Sequence, residues 1–247
     1  MFLLQSELIR PMEEAFRSGS LAMSDQARLA GEAVGKAWGD YPLNWILVLA
    51  SALVLALNLP NLFRIFPHVT RSFSRWRWNF TIEDSLQLSR TRDHVALCCF
   101  LPLCLLLSRY RVADPALFGR VDEGLRTLCV VALIGAWTGL RSLLHFALEA
   151  RFAQGAALQV ARKSGNNFLI LLTFSLLALA GILYAFRVSD PVIRMWILLV
   201  GGAVYLLFLG VKAQILKSSC NPLTTFFYLC ALEILPTGLL VAACLLL

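Results

Sequence analysis

Six runs of mostly apolar residues, joined by short polar connections, leave this chain one solvent in which to fold. A helix needs about 20 such residues to cross roughly 30 Å of hydrocarbon, and the runs at 43–63, 94–110, 125–149, 167–186, 195–215 and 223–247 reach or approach that length. The apolar share is 59% and the mean hydropathy +0.72, whereas a soluble domain is roughly half apolar and a quarter charged. A transmembrane β-barrel would alternate apolar and polar residues in segments of about ten, and these runs are continuous. The expectation is an all-α polytopic membrane protein, with about six transmembrane helices bundled over 43–247 and a polar amphipathic segment at 1–42.

That first segment begins Met1-Phe-Leu-Leu-Gln-Ser-Glu7, without the basic region and apolar core of a cleavable signal peptide, so it is expected to be retained. Leu8, Met12, Phe16 and then Leu29, Val34, Trp38 have the spacing of short amphipathic helices lying on a membrane or over the bundle. The formal net charge is +7, but the basic residues flank apolar runs. The most basic connection, from Arg64 to His94, holds Arg64, Arg71, Arg75, Arg77, Arg90 and Arg92, and the positive-inside rule makes it cytoplasmic with both chain termini on the outer, periplasmic side. Arginines and aromatics interleave at Arg71, Arg75, Trp76, Arg77 and Trp78. Beside a span such mixing suits lipid headgroups rather than stacked nucleotides, so the expected partner is the lipid bilayer and not nucleic acid. Thr81-Ile-Glu-Asp84 has the form of a capping box, which would start the helix leading into the second span.

Pro102 should kink that span. The turns after the second and fourth spans read Arg111-Val-Ala-Asp-Pro115 and Arg187-Val-Ser-Asp-Pro191, where Asp and Pro suit an N-cap and a first helical residue. The repeat leaves open a duplicated two-span unit, although capping alone can produce it. Gly135 and Gly139 in the third span, and Gly201 and Gly202 in the fifth, are small residues that permit close helix packing; Lys212 is placed to snorkel to the inner surface. Cys98, Cys99, Cys104, Cys129, Cys230 and Cys244 lie in or beside apolar runs, with Cys220 in a loop. They read as small hydrophobes, without zinc spacing, so no metal site is expected. No phosphate-binding loop, dinucleotide fingerprint or nucleophile motif occurs, so no cofactor and no catalytic residue is expected.

One acid interrupts the last run: Glu233, within Phe226-Phe-Tyr-Leu-Cys-Ala-Leu-Glu-Ile-Leu-Pro236. Such a group faces a bundle interior or a cavity and needs a partner. In the third span Arg141, His145 and Glu149 recur every four residues, turning only about 40° per step, so they form one polar stripe and the helix should be central. At about 1.5 Å per residue, Arg141 lies roughly 20 Å from the outer end of its span and Glu233 roughly 15 Å from the inner end of its own. The two are expected to pair, with His145 and Asn58 at comparable depth. Pro236 frees the carbonyl of Leu232 beside the acid. This cluster is either a lock that fixes helix register or a site, for a proton-coupled step at His145 or Glu233 or for a headgroup held by Arg141. Haem or metal ligation by His68, His94 and His145 is a third reading that no motif supports.

The Phe226–Pro236 stretch resembles the closing Tyr-Leu-Cys-Thr-Leu-Glu-Ile-x-Pro pattern of a family of small bacterial inner-membrane proteins known as domain of unknown function 4271, with Ala231 where Thr is common. Asn167-Phe-Leu-Ile-Leu-Leu172 and the segment from Tyr205 to Lys217 are similar too. The resemblance implies an integral inner-membrane protein and supplies no activity or substrate. Two functional expectations stand. The first is a non-enzymatic structural or accessory component of an envelope complex, packed against a membrane-protein partner or, as a homo-oligomer, a second copy of itself. The second is a carrier or flippase-like protein for a small or lipid-linked substrate, with Arg141, His145 and Glu233 lining its path.

Overall fold

The computed structural model describes residues 38–112, 118, 121, 123–149, 156–218 and 221–246. The expectations for residues 1–37, Asp114, Pro115, Arg151 and Cys220 lie outside that set, as does the side chain of Glu149. Among the described residues every regular element is helical. Contacts divide the chain after Asp40, and the helices from Tyr41 onward form one unit.

α1 (Pro42–Leu57) and α2 (Leu59–Ser74) meet at Asn58 with a 73° bend. The cause is local: Pro60 has no N–H for the carbonyl of Ala56, so the helical ladder fails there. Asn58 Nδ2 donates instead to the Val54 carbonyl at 3.0 Å. The first span, expected at 43–63, is therefore broken. Beyond the bend α2 buries Leu62, Ile65, Val69 and Ser72 along one stripe, the spacing of an amphipathic helix.

α3 (Trp78–Asp84) contains Thr81 and Glu83, and α4 (Leu86–Arg109) starts after Ser85, its N-cap. The capping-box expectation is thus corrected: Thr81 lies inside α3 and Asp84 ends it, so neither starts α4, while Glu83 joins an ion cluster with Arg92 and Lys163. α4 runs on through Pro102. Of the helices long enough to span, α4 is the most enclosed, with 61% of its apolar window buried against 17% for α5 (Glu123–Glu149). The central helix is α4 rather than the third span, which the described residues cover sparsely around Gly139.

α6 (Ala156–Ala185) begins well before residue 167 because Ala156 to Ala161 are good helix formers, so Arg162 and Lys163, expected in a connection, are helical. α7 (Asp190–Lys217) follows, then α8 (Pro222–Leu229), a π-helical turn (Cys230–Ile234) and α9 (Leu235–Leu246). Among the described residues five helices are long and apolar enough to cross a membrane, or six if α1 and α2 count as one bent span. Leu62, Ile65 and Val69 of α2 pack on Val95, Ala96 and Cys99 of α4 and Ile170 of α6. Farther along, Leu103 and Leu106 of α4 meet Leu176 and Ala180 of α6 and Ile193 and Ile197 of α7. The described cysteines are free thiols.

The repeated Arg-Val turns have one local explanation. Arg111 and Arg187 take φ of 50° and 54°. The N–H groups of Val112 and Val188 reach back to the carbonyls of Leu107 and Leu183 at 2.9 and 3.1 Å, and those of Arg111 and Arg187 to Ser108 and Tyr184 at 3.1 and 2.9 Å. This is the Schellman ending, with its hydrophobic closure supplied by the two valines in one apolar cluster. Ser189, one residue before the expected Asp190, is the N-cap of α7.

Among the described residues the glycines expected to bring helices close do not do so. A Cβ added at Gly139, Gly202 or Gly210 would meet nothing within 4 Å, and at Gly135 or Gly201 it would only touch a side-chain atom at 3.9 or 4.0 Å.

Candidate functional site: a buried ion cluster

Pro236 shapes the backbone around Glu233. An α-helical ladder would require its missing N–H, and the preceding turn widens so that the Leu235 N–H bonds to the Cys230 carbonyl. Such single π turns are common at functional sites. Tyr205 of α7 ties down the widened turn: its hydroxyl donates to the Glu233 carbonyl at 3.0 Å and lies 3.1 Å from the Thr237 hydroxyl.

The Glu233 side chain is gripped from two other helices. Arg141 Nη2 of α5 stands 2.8 Å from Oε1 and 2.7 Å from Oε2. Lys212 Nζ of α7 bonds Oε1, and His145 Nε2 lies 3.6 Å from the same oxygen. His145 Nδ1 is 2.9 Å from the Tyr228 hydroxyl. Exposure falls to 1% for Glu233, 0% for Lys212 and 3% for His145, while the Arg141 side chain retains 14%. Sequence reasoning joined Arg141, His145 and Glu233, and the structure brings those three together.

Lys212 corrects the snorkelling expectation, since it turns inward to the carboxylate. Both cations also sit over aromatic rings: the Arg141 guanidinium is 5.7 Å from the Trp137 ring and 5.5 Å from Phe208, and Lys212 Nζ is 5.5 Å from Phe208 and 5.7 Å from Tyr228. A desolvated contact of this kind contributes on the order of 2 kcal/mol, which partly offsets the cost of a charge in hydrocarbon, about 2.5–3.5 kcal/mol or more. The cluster still holds two basic side chains and one carboxylate. Asn58 is not part of it, because its side-chain bonds run to Val54 and Asn61 at the α1–α2 bend.

Polar networks that were not anticipated also lie in the interior, among them Ser72, Asn79 and Asn167, where Asn167 Nδ2 donates to Asn79 Oδ1 at 2.9 Å. Asn44 of α1 accepts from Thr127 Oγ1 of α5 at 2.7 Å, and Thr127 lies 2.9 Å from Ser108 Oγ of α4, all three buried. Near the start of α4, Arg92 is 1% exposed and bonds Glu83 and Asp93, while Lys163 reaches Glu83 at 2.8 Å and Asn166 donates to Asp93 at 2.8 Å. That second ion cluster is balanced, two cations to two carboxylates. The only signal for it was the Arg92-Asp93 pair in a stretch read as a connection. In the arginine–aromatic stretch, Arg71 lies 5.9 Å from the Trp78 ring and Arg77 5.4 Å from Trp76, with Arg71, Arg75 and Arg77 exposed.

Beside Arg141 a groove of about 450 Å³ opens between α4, α5 and α6, bordered by Trp137, Arg141, His145, Arg162 and Asn166. Gly165 makes room there: a Cβ on it would stand 3.3 Å from Arg141 Nη2. Among the described residues no three His, Cys, Asp or Glu side chains gather as a metal site would require. The arrangement can hold buried charge and join three helices at one carboxylate.

Among the described residues these features define an all-helical fold with five or six helices of membrane-spanning length and a buried ion cluster. The family described as Domain of unknown function (DUF4271) matches residues 45–243, and the chain belongs to that family. No curated protein and no solved structure matches the chain.

Proposed function

We propose that this chain is a non-enzymatic, multi-pass protein of the bacterial inner membrane, serving as a structural or accessory component of an envelope assembly. The observation that carries the reading is the enclosure of Glu233. A carboxylate 1% exposed, held by Arg141 and Lys212, is suited to fixing three helices in register, because removing one partner of a buried pair costs about 3–5 kcal/mol. The basic residues from Arg64 to Arg92, in α2, in α4 and between them, support a cytoplasmic placement of that stretch, with both chain termini periplasmic. Arg71, Arg75, Trp76, Arg77 and Trp78 then contact lipid at the inner surface. The sparsely covered face of α5 suits a membrane-protein partner or a second copy.

The carrier or flippase-like reading is favoured by one observation, the groove beside Arg141 and His145. Glu233→Gln separates the two. The accessory reading expects the variant to accumulate poorly, and the wild-type chain to run on a native gel in an assembly larger than its own 27.4 kDa. A variant of normal abundance and thermal stability that fails to restore the deletion phenotype, beside a lone wild-type monomer, would overturn it in favour of transport.

A further inference from the structure

We infer that the groove between α4, α5 and α6 binds a phosphoryl oxyanion, through Arg141 and Arg162. The inference does not depend on the accessory reading, since lock and groove share Arg141 and His145 but an occupied groove suits either function.

Charge is the first argument. The ion cluster at Glu83 balances two cations with two carboxylates. The cluster at Glu233 does not: among the described residues neither Arg141 nor Lys212 meets a second carboxylate. A buried surplus cation calls for an anion, and of the two cations Arg141 is the one that borders the groove.

The groove supplies what such an anion needs. Arg162 adds a second guanidinium to its wall, and paired guanidinium N–H groups match phosphate geometry. Trp137 lines the groove, and its indole N–H, itself enclosed, has no acceptor among the described residues. The acid on the same wall, Asp93, is already engaged by Arg92 and Asn166. Gly165 leaves the Arg141 guanidinium its place. The remaining wall includes Leu97, Phe100 and Phe168, which suits an ester carrying an apolar tail, and the volume of about 450 Å³ lies in the range of small-molecule sites.

The purified full-length chain in dodecyl maltoside is titrated with phosphatidylglycerol, with phosphatidylcholine and, at constant ionic strength, with sodium phosphate. Thermal stability is read for all three, and retained lipid by native mass spectrometry. Phosphatidylglycerol binding stronger than phosphatidylcholine binding, and weakened about tenfold by Arg162→Gln, the scale of one charge-assisted hydrogen bond, supports the site with a lipid headgroup as source. Stabilisation by phosphate that Arg162→Gln weakens supports it with a soluble phosphate ester as source. Trp137→Phe keeps the ring and is expected to weaken whichever probe binds, while Lys217→Gln, exposed at the end of α7, is expected to change nothing. The inference is overturned if wild type binds neither probe more tightly than Arg162→Gln does, or if Lys217→Gln weakens binding equally.

Discussion

Arg141 and Glu233 stand 92 residues apart in the chain and 2.7 Å apart in space. That contact joins α5 to the last helix, and Lys212 brings α7 to the same carboxylate. One acid thereby fixes the mutual rotation of three helices, since each must present its polar residue to the same point. The π turn serves the same end, re-aiming Glu233 where Pro236 interrupts the ladder.

The cluster's charge count orders the effects of neutralising its members. Glu233→Gln leaves two buried cations without an anion and should be the most damaging, by about 3–5 kcal/mol. Lys212→Met leaves the Arg141–Glu233 pair intact and should be milder. Lys217→Met, at an exposed position, should fall within about 0.5 kcal/mol of wild type. Thermal unfolding in detergent checks the order; equal effects of the two lysine variants would count against an inward-facing Lys212.

The Arg141–Glu233 approach was legible because both residues sit inside apolar runs, where rise per residue fixes depth and burial demands a partner. Lys212 was misread for a physical reason: it lies near the end of its span, where a long side chain can reach either the interface or the interior. Only packing decides, and here Phe208 and Tyr228 line an inward pocket. Asn58 was misplaced because depth was computed for an unbroken span, which Pro60 interrupts. The helical extent of residues 156–166 and the cluster at Arg92 escaped because their polar residues hid the continuing helices. The glycines in α5 and α7 invited a packing rule for which the described residues supply no close partner helix.

Tyr205→Phe removes the hydroxyl that holds the Glu233 carbonyl and Thr237. The expected loss is about 1–2 kcal/mol, concentrated in the last helix. Hydrogen exchange should rise in residues 230–237 more than in α4, and uniform exchange across both would contradict the assignment.

The second ion cluster separates a buried partner from an exposed one. Arg92, 1% exposed, is expected to cost about 3–5 kcal/mol on replacement by Met. Lys163 is 36% exposed, and its replacement should cost no more than roughly 1 kcal/mol. Denaturant or thermal unfolding of the two variants in one detergent gives the comparison.

Arg187 holds a left-handed conformation, φ 54°, that a β-branched residue resists by roughly 1–2 kcal/mol. Arg187→Gly should leave the melting temperature unchanged or raised, and Arg187→Val should lower it. The opposite order would remove the Schellman account of the repeated turns.

That Arg141 and Glu233 act as one unit is tested most directly by a double-mutant cycle on thermal stability in detergent. Arg141→Leu and Glu233→Gln are each expected to destabilise the chain, and the double variant to be no less stable than the worse single one, with a coupling energy of about 1–3 kcal/mol. Strictly additive losses would show that the two side chains act independently and would contradict the pairing.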